Sequence, residues 1–186
     1  MHGQLTDGAF EQLRVLLMAN EAFKDTIILS TFMLPRALKD KKAILTWNDW
    51  ESVMSTEIVF LPVFHQNHWA LAVIFPEERT IMMLDSLEQK LVTEGYGRRV
   101  RDLMWFVDPR PRETDPKKDW RFLKATTQER QQGAVECGIF VIARMLEIAF
   151  DTPPGFGQEH VDTLRKGLYH SLKAGKLTLE ALPPFE

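Results

Sequence analysis

Cysteine is almost missing from this chain: Cys137 is the only one in 186 residues. That rules out an intrachain disulfide, which suits a reducing compartment. It also leaves too few soft ligands for a zinc site of the finger type. Neither sign of charge is in large excess, with 23 Lys and Arg against 26 Asp and Glu and a net charge of −3. Such a balance argues against a general nucleic-acid binder. No apolar run approaches the roughly 18 residues of a membrane span. Met1-His2-Gly3-Gln4 is not a basic segment leading into a signal-type apolar core. Repeats and low-complexity tracts are also missing. What remains is 45% hydrophobic and 26% charged, the make-up of an ordinary globular protein. The expectation is one domain, residues 1–186, large enough for its own core and located in the cytoplasm or nucleus.

The lone cysteine stands at a boundary. Gln131-Gln132-Gly133-Ala134-Val135-Glu136 is polar or small, and Cys137-Gly138 then opens a run that is apolar on almost every side, from Ile139 to Phe150. Only Arg144 and Glu147 interrupt it, three apart on one edge of a helix. A helix that apolar is buried in the middle of a domain, and Pro153-Pro154 ends it. Cys137 therefore belongs at the N-terminus of a buried helix, where unpaired amides and the helix dipole favour a thiolate. The competing interpretation is a small buried hydrophobe.

Along the rest of the chain, Thr6 or Asp7 can cap a helix running to about Asn20 on Phe10, Leu13, Leu16 and Leu17. Residues 25–32 fit a strand or a helix equally. The run Lys39-Asp40-Lys41-Lys42 is expected to be solvated. Ile58 to Phe64 reads as a buried strand, with Pro62 placing part of it at a sheet edge. Trp69 to Phe75 and Thr80 to Leu84 read as a hairpin around Pro76-Glu77-Glu78-Arg79. A helix is expected from Gly97 to Phe106, an exposed loop over 108–119, a short strand at Trp120 to Leu123, and a last helix from His160 to Lys173. Helices flanking a mostly antiparallel sheet make an α+β domain.

A nucleophilic cysteine needs a base, a group that orients the base, and donors for an oxyanion. His68 opens the hairpin's first strand, and the turn brings Asp85 to the same end of the hairpin. Neighbouring strands lie about 4.8 Å apart, so carboxylate and imidazole are within reach, and Asp85 can fix the tautomer of His68. A glutamine just before the nucleophile can donate to an oxyanion beside the nucleophile's own N–H. Composition does not choose among Gln128, Gln131 and Gln132. A metal site at His65 and His68 is disfavoured, because residues three apart on an extended segment point to opposite faces.

His68-Trp69, Asp85-Ser86 seventeen positions on, and Gln131 six positions before Cys137-Gly138 together resemble the ubiquitin-like-protein-specific cysteine proteases, the SUMO (sentrin) protease family. Leu5-Thr6-Asp7 is similar to that family's early Trp-Leu-Asn-Asp segment. The resemblance runs over most of the chain. It implies a papain-like fold with a buried helix starting at the nucleophile, His68 as base, Asp85 as orienter, Cys137 as nucleophile and Gln131 in the oxyanion hole. It further implies Trp69 as a wall of the tunnel for the modifier's tail, and Asp7 as a contact to the modifier's body. No cofactor and no metal is implied. The partner would be SUMO or another ubiquitin-like modifier, cleaved after its terminal Gly-Gly by a monomeric enzyme. The chain departs from the family at Gln4 (a tryptophan in the motif), at Thr6 (asparagine) and at Glu136 (usually aspartate).

Three other functions share these residues. One is cleavage of ubiquitin or a further modifier. Another is acetyl transfer, as in bacterial effectors that resemble this His, acid, Cys order but need a cofactor-binding region for which 186 residues leave little room. The third is an inactive modifier-binding module, which the intact quartet argues against. The short segment before the first helix suggests a catalytic domain from which any targeting region is absent.

Overall fold

The computed structural model describes residues 5–88, 91–111, 114–124 and 130–178, with residues 91, 92 and 124 described by backbone only. Gln4 and Gln128 lie outside these residues. The central element is the meander β2 (Ile58–His65), β3 (His68–Phe75) and β4 (Thr80–Leu84). Its pairs are antiparallel, with Val63 opposite Ala70 and Leu71 opposite Leu84. β1 (Thr26–Ile28) and β5 (Arg121–Lys124) flank it in the order β1-β2-β3-β4-β5, each parallel to its neighbour. The antiparallel character expected of the sheet thus holds for its three central strands, and the edges make it mixed. The ambiguous stretch 25–32 supplies edge strand β1. That strand covers only Ile58 to Phe60 of β2, so Pro62 lies beyond it, where a missing N–H costs no second ladder.

The two-residue period of β3 sorts the core. Trp69, Leu71 and Val73 face a layer formed by α1 (Asp7–Met18), α6 (Cys137–Ala149) and α7 (Val161–Ala174). Ala70, Ala72 and Ile74 face the layer of α2 (Met33–Lys39), α3 (Trp50–Ser55) and α4 (Gly97–Val107). A strand covered on both faces reads as an unbroken apolar run rather than an alternation, as His68 to Phe75 does. α1 and α3 begin where the sequence offers caps: Thr6 Oγ1 accepts from Ala9 N–H at 3.3 Å, and Asp49 caps α3.

α6 is buried from Cys137 to Glu147. Its two charged residues form an ion pair, and Glu147 Oε1 also accepts the N–H groups of Gly155 (2.8 Å) and Phe156 (2.7 Å). Two expectations are corrected. Residues 108–119 are not a plain exposed loop: Asp108 is buried and paired with Arg79 and Arg110, and Pro116–Asp119 forms a short helix, α5. Nor is the segment from His65 to His68 extended. Gln66 and Asn67 take φ of 47° and 61°, the left-handed pair of a tight hairpin turn, which sets His65 directly across from His68.

Candidate active site

Three elements deliver three members of the quartet, and Gln131 lies in the segment leading into α6. α6 begins at Cys137, β3 begins at His68, and Asp85 follows the last residue of β4. One step past the Leu71–Leu84 pair sets Asp85 beside Ala70 and diagonal to His68, within side-chain reach. His68 Nε2 lies 2.6 Å from Asp85 Oδ1, and the same oxygen accepts the Leu87 N–H at 2.9 Å. The imidazole also hydrogen-bonds the Cys137 side chain; with Nε2 on the carboxylate, Nδ1 is the nitrogen at the thiol. Cys137, His68, Asp85 and Gln131 are all buried.

The electrostatics favour an ion pair. Burial opposes charge on His68, but the hydrogen bonds and charges of Asp85 and Cys137 outweigh it and push the imidazole pKa up to about 9. Burial likewise raises the Cys137 thiol. His68 and the backbone N–H groups of Trp69 and Gly138, which point at the sulfur, outweigh that and hold it below the usual thiol value. A thiolate facing an imidazolium is a nucleophile and a proton donor prepared before substrate arrives.

Of Gln131 and Gln132, Gln131 is the buried one and Gln132 is exposed. Gln131 Oε1 lies 2.5 Å from Ser86 Oγ, and its Nε2 lies 2.6 Å from the Gly133 carbonyl. The Gln132 backbone N–H instead turns toward Gln158 Oε1 at 2.8 Å. Glu136 precedes the helix without capping it; its carboxylate accepts the Val135 N–H at 3.1 Å and closes on Gly133.

Trp69 is fully buried. It stacks on Phe10 (4.7 Å between ring centres, 20°) and tilts against Phe64 (4.7 Å, 40°), and its Nε1 donates to the Leu5 carbonyl at 3.0 Å. Packing in the core and a position beside the nucleophile turn out to be compatible. A Cβ added at Gly138 would fall 3.2 Å from Trp69 Cδ1 and 2.9 Å from Leu5 Cβ. Asp7 is half-buried in the first turn of α1, while Thr6 does the capping; burial, with Glu11 adding to it, raises the Asp7 carboxyl pKa. His65 accepts or donates with Tyr96 Oη at 2.7 Å through Nδ1 and tilts against its ring, so it is turned to another element although it sits across from His68. Among the described residues there is no cluster of His, Cys, Asp and Glu able to hold a metal, and no helix is long and apolar enough to cross a membrane.

The sequence reading gave no role to Ser86, nor to the N–H groups of Trp69 and Gly138. Ser86 was within sight as the residue after Asp85, but nothing local tells a hydroxyl aimed at a distant amide from a turn serine. Backbone donors carry no residue signature at all.

Residues 14–175 match the model of the Ulp1 protease family, C-terminal catalytic domain. That span contains His68, Asp85, Gln131 and Cys137 and leaves out Gln4 and Asp7. The sentrin-specific protease 3 of Homo sapiens and that of Mus musculus are each 23% identical over 141 residues, 76% of this chain and 24% of theirs. The chain thus spans about a quarter of the length of these curated relatives. Among solved structures, the C-terminal Ulp1 protease domain in complex with Smt3, the yeast ortholog of SUMO, superposes with a TM-score of 0.75 at 17% identity, over 94% of this chain and 79% of that one. The Chaetomium thermophilum Ulp1-like SUMO protease catalytic domain gives 0.68 at 18% identity, over 97% and 80%. At such identities the structures speak for a shared α+β fold, and the family match covers most of the chain. By that match, the chain belongs to the Ulp1 protease family.

Proposed function

We propose that this chain is a cysteine protease that cleaves after the C-terminal Gly-Gly of a ubiquitin-like modifier, most consistently SUMO, both in precursors and on lysine side chains. The observation that carries this reading is His68 held between Asp85 and Cys137, with Asp85 Oδ1 2.6 Å from Nε2. The Cys137 thiolate attacks the carbonyl of the terminal glycine. The tetrahedral oxyanion takes hydrogen bonds from Gln131 Nε2–H and the Cys137 N–H at the start of α6. Collapse breaks the C–N bond while His68 Nδ1–H passes its proton to the leaving amine, which leaves a thioester on Cys137. His68, now neutral, draws a proton from water as it attacks that thioester. A second tetrahedral species then expels the thiolate and frees the modifier's carboxylate.

Trp69 supports Gly-Gly selectivity. Its backbone N–H is on the sulfur and its indole Cδ1 lies beside Gly138, so the ring stands next to the nucleophile a tail must reach. Asp7, half-buried in the first turn of α1, is read as a contact to the modifier's body. The domain is read as a single unit over residues 1–186, active as a monomer in the nucleus or cytoplasm, with no cofactor.

A panel of modifiers carrying a C-terminal electrophile tests this. SUMO probes should label wild type and fail on Cys137→Ala, which should still bind the modifier. Labelling by ubiquitin probes alone would reassign the substrate. Consumption of acetyl-CoA without labelling would replace the protease by a transferase, and binding without either reaction would make it a binding module.

A further inference from the structure

We propose that Ser86 is a positioning residue for the oxyanion donor, its hydroxyl locking the Gln131 carboxamide in the one orientation that donates to substrate; this rests on the reading of Gln131 above. The orientation of an amide has to be settled by its neighbours. A backbone carbonyl can only accept, so the 2.6 Å contact with the Gly133 carbonyl fixes the NH₂ end of Gln131 on that side. Oε1 then faces Ser86 Oγ at 2.5 Å, and the serine must be the donor. The main chain is tied at the same place, because Gln131 N–H donates to the Ser86 carbonyl at 3.2 Å. Both residues are buried, so water does not offer a ready substitute.

The last torsion of a glutamine side chain is broad and roughly two-fold. Gly133 alone holds one end of the amide. With Ser86 on the other end, one NH₂ proton stays on Gly133 and the second stays directed for an incoming oxygen. A hydrogen bond to Oε1 also polarises the amide and strengthens its N–H as a donor. Ser86 is one bond along the chain from Asp85, and the Asp85 carbonyl accepts the Glu88 N–H at 3.0 Å. One turn therefore sets both the group that orients the base and the group that orients the oxyanion donor.

The test is steady-state kinetics on SUMO carrying a C-terminal fluorogenic amide, or ubiquitin carrying one if that is the modifier cleaved. Ser86→Ala should lower kcat about tenfold, a part of the 10²–10³ typical of a lost oxyanion donor, with KM unchanged. Gln131→Ala should lose the full amount, and adding Ser86→Ala to it should cost nothing more. Ser86→Thr should stay within about threefold of wild type, while its isostere Ser86→Val should fall with Ser86→Ala; this pair keeps the test valid if the alanine variant does not fold, since shape is matched and only the hydroxyl differs. Alkylation of Cys137 by iodoacetamide across pH should be the same in wild type and Ser86→Ala, because the ion pair is untouched. A wild-type kcat in Ser86→Ala beside a severe Gln131→Ala overturns the positioning role alone. So do additive losses, or a shifted alkylation profile, which would mean that Ser86 acts through Asp85. Full activity in Gln131→Ala overturns the oxyanion assignment itself.

Discussion

Trp69 Nε1 donates to the Leu5 carbonyl across 3.0 Å, joining residues 64 positions apart. The contact lays the chain entering α1 over the start of α6, with Gly138 beneath it. Any side chain at 138 meets Leu5 Cβ at 2.9 Å and Trp69 Cδ1 at 3.2 Å. Gly138→Ala should therefore displace Leu5 and crowd the indole. The expected result is a loss of about 1–3 kcal/mol in stability, the usual range for overpacking, with a larger fall in kcat/KM than in melting temperature. Denaturant titration alongside kinetics measures both.

The His68–Cys137 pair has a pH window whose two edges can be signed. The His68 pKa is raised from 6.5 to about 9, so its stabilising contribution is complete below about 6.5 and is lost as pH rises through about 9. The Cys137 thiol is lowered, so its contribution is complete above the ordinary thiol value and is lost as pH falls through the lowered one. Activity should hold between the two edges, with an alkaline limb near pH 9. Asp85→Asn removes the carboxylate that raises His68, so that limb should move to lower pH. The rate loss should be about 10², within the usual worth of a positioned base, because the thiol is already partly ionised. An unmoved alkaline limb in Asp85→Asn would show that another group sets it.

Much of this was written locally. The Cys137 helix announced itself because an apolar run of that length has nowhere to go but the interior. The hairpin of β3 and β4 followed from its turn residues, and with it the meeting of His68 and Asp85. What stayed hidden depends on partners far along the chain. Asp108 reads as a loop residue until Arg79, 29 positions earlier, is brought beside it. Gln131 and Gln132 look alike until Ser86, 45 positions from Gln131, donates to the Gln131 side-chain oxygen. On an extended segment His65 and His68 would point to opposite faces; the turn at Gln66-Asn67 sets them across from each other, and the hydroxyl of Tyr96 takes the His65 ring.

Arg144 and Glu147 test the base of the site rather than its chemistry. Both are buried in α6, and Glu147 also holds the Gly155 and Phe156 N–H groups. Glu147→Ala leaves the guanidinium without its carboxylate and two amides without an acceptor. Breaking such a pair from one side costs about 3–5 kcal/mol. The variant should unfold at correspondingly lower denaturant, while any folded fraction keeps the wild-type pH profile of Cys137 alkylation. A loss under about 1 kcal/mol would show that water replaces the pair at little cost.

The proposed role of Trp69 beside the substrate tail calls for a gentler substitution than the obvious one. Trp69 is fully buried between Phe10 and Phe64, and emptying such a site costs about 3–5 kcal/mol. Activity lost in Trp69→Ala would therefore report unfolding as much as tail placement. Trp69→Phe keeps an aromatic ring in the stack and removes only the outer ring of the indole and its N–H. The Leu5 carbonyl loses its donor, worth about 1 kcal/mol, and the far end of the ring system recedes while the Cδ1 edge beside Gly138 stays. If the full extent of the indole limits what reaches the thiolate, the variant should cleave modifiers ending Ala-Gly better relative to Gly-Gly than wild type does. Its melting temperature should fall only modestly. The measurement is kcat/KM for both tails in both proteins, with thermal melts beside them. An unchanged selectivity ratio together with an intact fold would take Trp69 out of the tail path and leave it a core residue whose backbone N–H serves the sulfur.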